Sequence, residues 1–192
     1  LRKIASLRKK IRGVQGGQGS SKTFSILMLI INHASSQPNK EIIICSAELT
    51  KMRLTVIKDF VKIMKGWELF DPEAWKAGTL YQFPNGSFVK FIGLDKDDVG
   101  KGLRSDVVYF NEVNKIDVET YRQLASRSRL VYVDFNPDVR FWFHTDVAPR
   151  EDCDLIITTF EDNEFLPSGE RDEILIYKEL GYNKDGTVRS KY

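Results

Sequence analysis

The sequence predicts a three-layer α/β fold with a mostly parallel central sheet. Three observations carry the prediction. A glycine-rich run at 16–23 stands between a short apolar stretch and a long apolar helix-like segment. After it, strand-like apolar runs alternate with segments of helical period, the pattern of parallel strands joined by helical crossovers. Two of the later strands also end in polar or acidic residues, at Asn111-Glu112 and at Asp134.

The run Gly16-Gly17-Gln18-Gly19-Ser20-Ser21-Lys22-Thr23 has the layout of a phosphate-binding loop. Three glycines let the backbone turn and aim its N–H groups at a polyphosphate. Lys22 opens a helix whose positive dipole end faces the same way. In such a loop Lys22 reaches the β- and γ-phosphates of a nucleotide, and the Thr23 hydroxyl takes a place on Mg²⁺. The usual spacing is G-x-x-x-x-G-K-[ST], and here Ser21 occupies the second glycine's place; a serine is small enough to be tolerated. A flexible Gly/Ser turn followed by a chance Lys-Thr would lack the flanking strand, 11–14, and the buried helix from Phe24 onward.

The elements follow in order. The first helix covers 22–34 and stops before Pro38; 41–47 is a continuous Ile/Cys-rich run, a buried strand. One helix is expected over 50–65, with Met52, Val56, Phe60 and Ile63 at helical spacing. Segments 79–83 and 87–93 flank Pro84-Asn85-Gly86, a hairpin signal. A charged, glycine-containing loop fills 95–106. Strands at 107–110 and 130–135 enclose a helix over 118–128; a strand at 155–160 and a terminal helix at 170–180 close the chain.

At 192 residues the chain fits one ordinary domain, and its net charge of +2 argues neither for nor against nucleic acid. The basic N-terminal residues Arg2, Lys3, Arg8, Lys9, Lys10 and Arg12 read as a solvated helix face, with a phosphate-contacting arm second. Cys45 and Cys153 fall in apolar runs and His33 and His144 stand apart, so reduced core cysteines are expected and a zinc site is not. No apolar run approaches the ~20 residues of a membrane span.

A phosphate-binding loop needs a carboxylate partner. Val107-Val108-Tyr109-Phe110-Asn111-Glu112 suits a Walker B strand in which Asn111 stands for the usual Asp, its amide oxygen accepting from a metal-bound water. Glu112 is then the general base. Asp134, ending the strand 130–134, is a second candidate for the Mg²⁺ shell, and Asn136 a candidate sensor of the γ-phosphate. Arg104, in the loop before the Walker B strand, is a candidate for stabilising charge on the transferring phosphoryl group, in its own site or a neighbour's; a DNA contact or a solvated loop charge are the alternatives. Gln15 and Arg12 are candidates for adenine recognition.

Taken in order, five stretches resemble the ATPase domain of the large terminase subunit of tailed bacteriophages. They are Gly16 to Thr23, Gly102-Leu103-Arg104, Tyr109-Phe110-Asn111-Glu112, Phe135-Asn136-Pro137, and Thr158-Thr159-Phe160-Glu161-Asp162-Asn163-Glu164-Phe165-Leu166-Pro167. The last is the most discriminating, and together they span about residues 11–167. The resemblance implies a RecA-like P-loop NTPase of the additional-strand class, with ATP and Mg²⁺ as ligands, that drives double-stranded viral DNA into a procapsid. It gives Lys22, Thr23 and Glu112 their usual roles and makes Arg104 an arginine finger between subunits of a ring. It also implies the portal protein and the small terminase subunit as partners, no membrane, and residence in the host cytoplasm with transient docking at the procapsid portal. Many relatives carry Arg where this chain has Gln18, so a cis-arginine there is missing. Residues 1–167 are expected to form the ATPase domain and 168–192 a helix and linker towards a nuclease domain absent here, so the chain is expected not to cut DNA. The rivals are another P-loop DNA-dependent ATPase of helicase type, and a nucleotide-gated assembly module with little turnover.

Overall fold

The computed structural model describes residues 1–95 and 102–181. Residues 96–101, among them Gly100 and Lys101, and residues 182–192 lie outside the described residues. Eight strands form one sheet: β1 (Ile11–Gly16), β2 (Glu41–Ser46), β3 (Trp75–Lys76), β4 (Leu80–Gln82), β5 (Phe88–Gly93), β6 (Ser105–Phe110), β7 (Ser128–Phe135) and β8 (Cys153–Thr158). Their order is β3-β4-β5-β2-β6-β7-β1-β8. From β5 to β8 every pairing is parallel; β3 and β4 add an antiparallel hairpin to the β5 edge. β7 lies between the phosphate-loop strand β1 and the Glu112 strand β6, the inserted strand that defines the additional-strand class.

Side-chain alternation explains why the inner strands read as continuous apolar runs. Val14, Ile42, Ile44, Tyr109 and Tyr132 face one layer, made by α1 (Arg2–Ala5), α2 (Lys22–Ser36), α3 (Leu49–Leu54) and α4 (Val56–Gly66). Ile11, Ile43, Cys45, Val108, Phe110, Val131 and Val133 face the other, made by α5 (Val118–Ser126) and a π-helical turn at Phe143–Val147. Both cysteines are buried and unpaired, as expected.

Three expectations need correction. The helix expected over 50–65 is two helices, because Thr55 leaves helical geometry (φ −122°, ψ −87°) while its hydroxyl donates to the Lys51 carbonyl. A β-branched residue that bonds the preceding turn disrupts a helix in this way. The basic N-terminal residues are not a solvated helix face. Only Arg2–Ala5 is helical; the Arg8 and Lys9 amides donate to Asp154, Lys9 also pairs with that carboxylate, and Lys3 pairs with Asp162. The segment runs along β8, tied to Asp162 beyond its end and to Asp154 near its start. Finally, the last strand begins and ends two residues earlier than 155–160, since Thr159 and Asp162 form a reciprocal capping box that starts a new turn.

The hairpin turn forms where Asn85-Gly86 predicts it, with Gly86 at φ +85°. It also caps a helix, since Asn85 Nδ2 donates to the carbonyls of Ala34, Ser35 and Gln37, the open end of α2. The far end of the phosphate-loop helix is thereby pinned to the sheet edge.

Candidate nucleotide site

The site lies where parallel-sheet ligands bind, at the carboxyl ends of the strands. β1 ends at Gly16, held beside Thr158 of β8. A Cβ at Gly16 would collide with the Thr158 carbonyl and hydroxyl oxygens, whereas one at Gly17 would meet open space. Gly16→Ala is therefore expected to destabilise the protein by about 1–3 kcal/mol, the range for overpacking, and Gly17→Ala to leave its melting temperature unchanged; thermal denaturation of the two variants checks this. Gly19 adopts φ +74° and Ser21 φ +61°. Ser21 thus takes up the left-handed backbone that the second glycine of the usual motif supplies, at a steric cost of about 1–2 kcal/mol.

Lys22 is buried. Its ammonium donates to the carbonyls of Gly16 (2.6 Å) and Gly17 (3.2 Å), to Asn136 Oδ1 (3.1 Å), and more weakly to Ser20 Oγ (3.4 Å). Desolvation lowers its pKa, against the raising influence of Asp134, then Glu112, then Asp138. The lysine is folded onto its own loop, with Asn136 as a side-chain partner.

Asp134 is the centre of a buried network. One carboxylate oxygen accepts from Thr23 Oγ1 (2.8 Å); the other accepts from the Glu112 amide (2.8 Å) and from Asn111 Nδ2 (3.1 Å). The Asn111 amide also donates to the Tyr109 hydroxyl (3.3 Å). Burial raises the pKa of Asp134; the Glu112 amide, then Thr23, then Lys22 oppose that shift. Burial likewise pushes the Tyr109 phenol well up, keeping it protonated.

Glu112 occupies left-handed backbone (φ 53°, ψ 55°), an uncommon state for a non-glycine residue. Its carboxylate is half-exposed and pairs with Lys115 Nζ at 2.8 Å. Sequence reasoning misses Lys115; an i,i+3 pair becomes visible only once 113–115 is known to be a turn of 3₁₀ helix.

The other candidates fall as follows. Gln15 points to the opposite face of the sheet from α2, where His144 donates Nε2–H to its Oε1 (3.2 Å) because the Phe141 amide occupies Nδ1. Gln18 is exposed on the loop. Arg12 lies at the other end of β1, against Tyr132, and lines a cavity of about 450 Å³ with Asn32, His33 and Ser36, so it does not join the phosphate loop. Arg104 precedes β6 at its amino end. Six strand residues of about 3.3 Å each separate it from Asn111, farther than an arginine side chain spans, so the fold does not bring it to the Asn111 end of its own strand.

The donor set suits Mg²⁺. Among the described residues no cluster of three His, Cys, Asp or Glu could cage a metal. A magnesium site built on substrate phosphates needs only one or two protein oxygens, and the Thr23 hydroxyl beside the buried Asp134 carboxylate offers them.

The sequence model of the phage terminase large subunit family matches residues 8–189. The chain belongs to that family. The fold agrees: the large terminase of a thermophilic bacteriophage superposes with a TM-score of 0.75 at 15% identity, over 94% of this chain and 47% of that one. The same protein has been solved with ADP and with ATP-gamma-S. The large terminase ATPase domain of Thermus phage P74-26 superposes with a TM-score of 0.67 at 14% identity, over 96% and 87%. The N-terminal domain of the DNA packaging ATPase of bacteriophage phi29 gives 0.54 at 14%, over 85% and 96%. The terminase chain described here spans about half the length of the first of these relatives. No curated protein matches it at a significant level. Among the described residues no helix is long and apolar enough to cross a membrane.

The terminase signature at 158–167 has a physical role here. Asn163 Nδ2 donates to the Gly19 carbonyl (2.8 Å), a Cβ at Gly19 would meet Leu166 and, from α6 (Ser168–Gly181), Ile174, and Thr158 flanks Gly16. The signature is a buttress behind the phosphate loop.

Proposed function

We propose that this chain is the ATP-hydrolysing motor domain of a DNA-packaging terminase. The observation that carries this reading is the convergence of Lys22, Thr23 with Asp134, and Glu112 at the carboxyl ends of three adjacent strands, β1, β7 and β6. The loop amides and the start of α2 bind the phosphates, and Lys22 exchanges its own-loop carbonyls for β- and γ-phosphate oxygens. Asn136, released from Lys22 by that exchange, becomes available to the γ-phosphate. Mg²⁺, when bound, neutralises the charge shared by the β- and γ-phosphates; Thr23 and Asp134 would hold it. Glu112 takes the proton of the attacking water, a contribution of about 10²–10⁴ in rate. Before it can do so it leaves Lys115.

Arg104, at the opposite end of β6 from Glu112, serves a neighbouring subunit in a homo-oligomeric ring at the portal. In this reading residues 1–167 form the motor, α6 leads away from it, double-stranded DNA is the cargo, and the portal protein and small terminase subunit are the partners in the host cytoplasm. The test is nuclease protection of DNA in a packaging reaction with portal-bearing procapsids. Protection that needs both ATP and the procapsid is expected. ATP hydrolysis stimulated by DNA alone, with no DNA protected, would favour a helicase-type enzyme.

A further inference from the structure

Asn111 stands where a Walker B strand carries its aspartate, and the buried carboxylate stands one strand over, at Asp134. The two residues are in contact: the Asn111 amide donates to both carboxylate oxygens, at 3.1 and 3.4 Å. Both side chains are buried, so the Asn111 amide supplies a donor to a carboxylate that water cannot serve. The Thr23 hydroxyl, which belongs beside the metal, has as its partner Asp134 and not Asn111. Tyr109 and the Glu112 amide complete the set of groups around the pair.

We propose that the metal-shell carboxylate of this motor is carried by the inserted strand and not by the Walker B strand. Asp134 is the acid, and Asn111 is a positioning residue that acts through it. This rests on the nucleotide-site reading and replaces the expectation that the Asn111 amide oxygen itself serves a metal-bound water. It also accounts for the backbone at Glu112. The same Asp134 oxygen that accepts from Asn111 accepts from the Glu112 amide, so one carboxylate fixes both the metal side and the base side of the site.

The pair should therefore tolerate being exchanged as a unit. The experiment compares wild type, Asn111→Asp, Asp134→Asn and the double exchange by three measurements: ADP affinity in EDTA, Mn²⁺ affinity of the ADP complex by electron paramagnetic resonance, and melting temperature without ligand. Asp134→Asn is expected to weaken Mn²⁺ binding about tenfold or more, the scale of losing a metal-site partner, with ADP affinity in EDTA unchanged. Asn111→Asp is expected to lower the melting temperature, because it removes the donor that both buried Asp134 oxygens accept from. The double exchange should recover most of both losses. Mn²⁺ affinity unaffected by Asp134→Asn, or a double exchange no better than the worse single variant, would overturn the inference. Wild type that binds no ADP under either condition would instead overturn the nucleotide-site reading, and the melting temperatures would still report whether the two positions exchange as a pair.

Discussion

Lys22→Ala is expected to weaken nucleotide binding severely. The ammonium is the one cation buried in the phosphate loop, and it also ties the loop together through Gly16, Gly17 and Asn136. Removing one partner of a buried charged interaction costs about 3–5 kcal/mol, which is a loss of roughly 10²–10³ in affinity or more. Alanine also leaves the Gly16 carbonyl without its donor, so the loop loses part of its shape. Titration with a fluorescent ADP analogue checks the prediction. Affinity within about threefold of wild type would mean that the phosphates bind elsewhere.

The second large effect concerns Arg104, which lies at the opposite end of β6 from Glu112 and is proposed to act on a neighbouring subunit. Arg104→Ala should lower ATP turnover by about 10³, the low end of what an arginine finger contributes, with nucleotide affinity preserved. Mixing Arg104→Ala subunits with Glu112→Gln subunits should restore turnover. Each interface in which Glu112→Gln donates its arginine to an Arg104→Ala subunit contains one complete site. Specific activity should also rise with protein concentration. If mixing restores nothing, while the wild type turns over at a rate independent of concentration, the finger is not Arg104.

What is legible in the sequence follows the range of the interactions. The phosphate loop is written in eight consecutive residues, and the buried strands in continuous apolar runs, so both can be read locally. The hairpin at Asn85-Gly86 is equally local, although its grip on the end of α2 is not. The Asp134–Asn111 pair illustrates the limit. The two residues are 23 positions apart and meet only because β6 and β7 are parallel neighbours in one register. Read alone, Asn111 looks like a weakened aspartate; beside Asp134 it is the donor that a buried acid needs. Arg104 misleads in the same way. Its nearness in sequence to Glu112 suggests access to the same phosphate, but a strand carries its two ends apart. The break at Thr55 is invisible to periodicity, since the apolar spacing runs on through it. Asn163 stands out in the sequence only by resemblance, and its bond to Gly19 supplies the physical reason.

The most direct measurement is steady-state, Mg²⁺-dependent ATP hydrolysis by the wild type beside Glu112→Gln, with ADP binding measured on both. A motor with Glu112 as its base should show turnover in the wild type, a loss of at least about 10² in the variant, and equal ADP affinity in the two. Equal turnover in both would contradict that assignment, and so would binding of ADP by a wild type that shows no hydrolysis even at concentrations that assemble the ring.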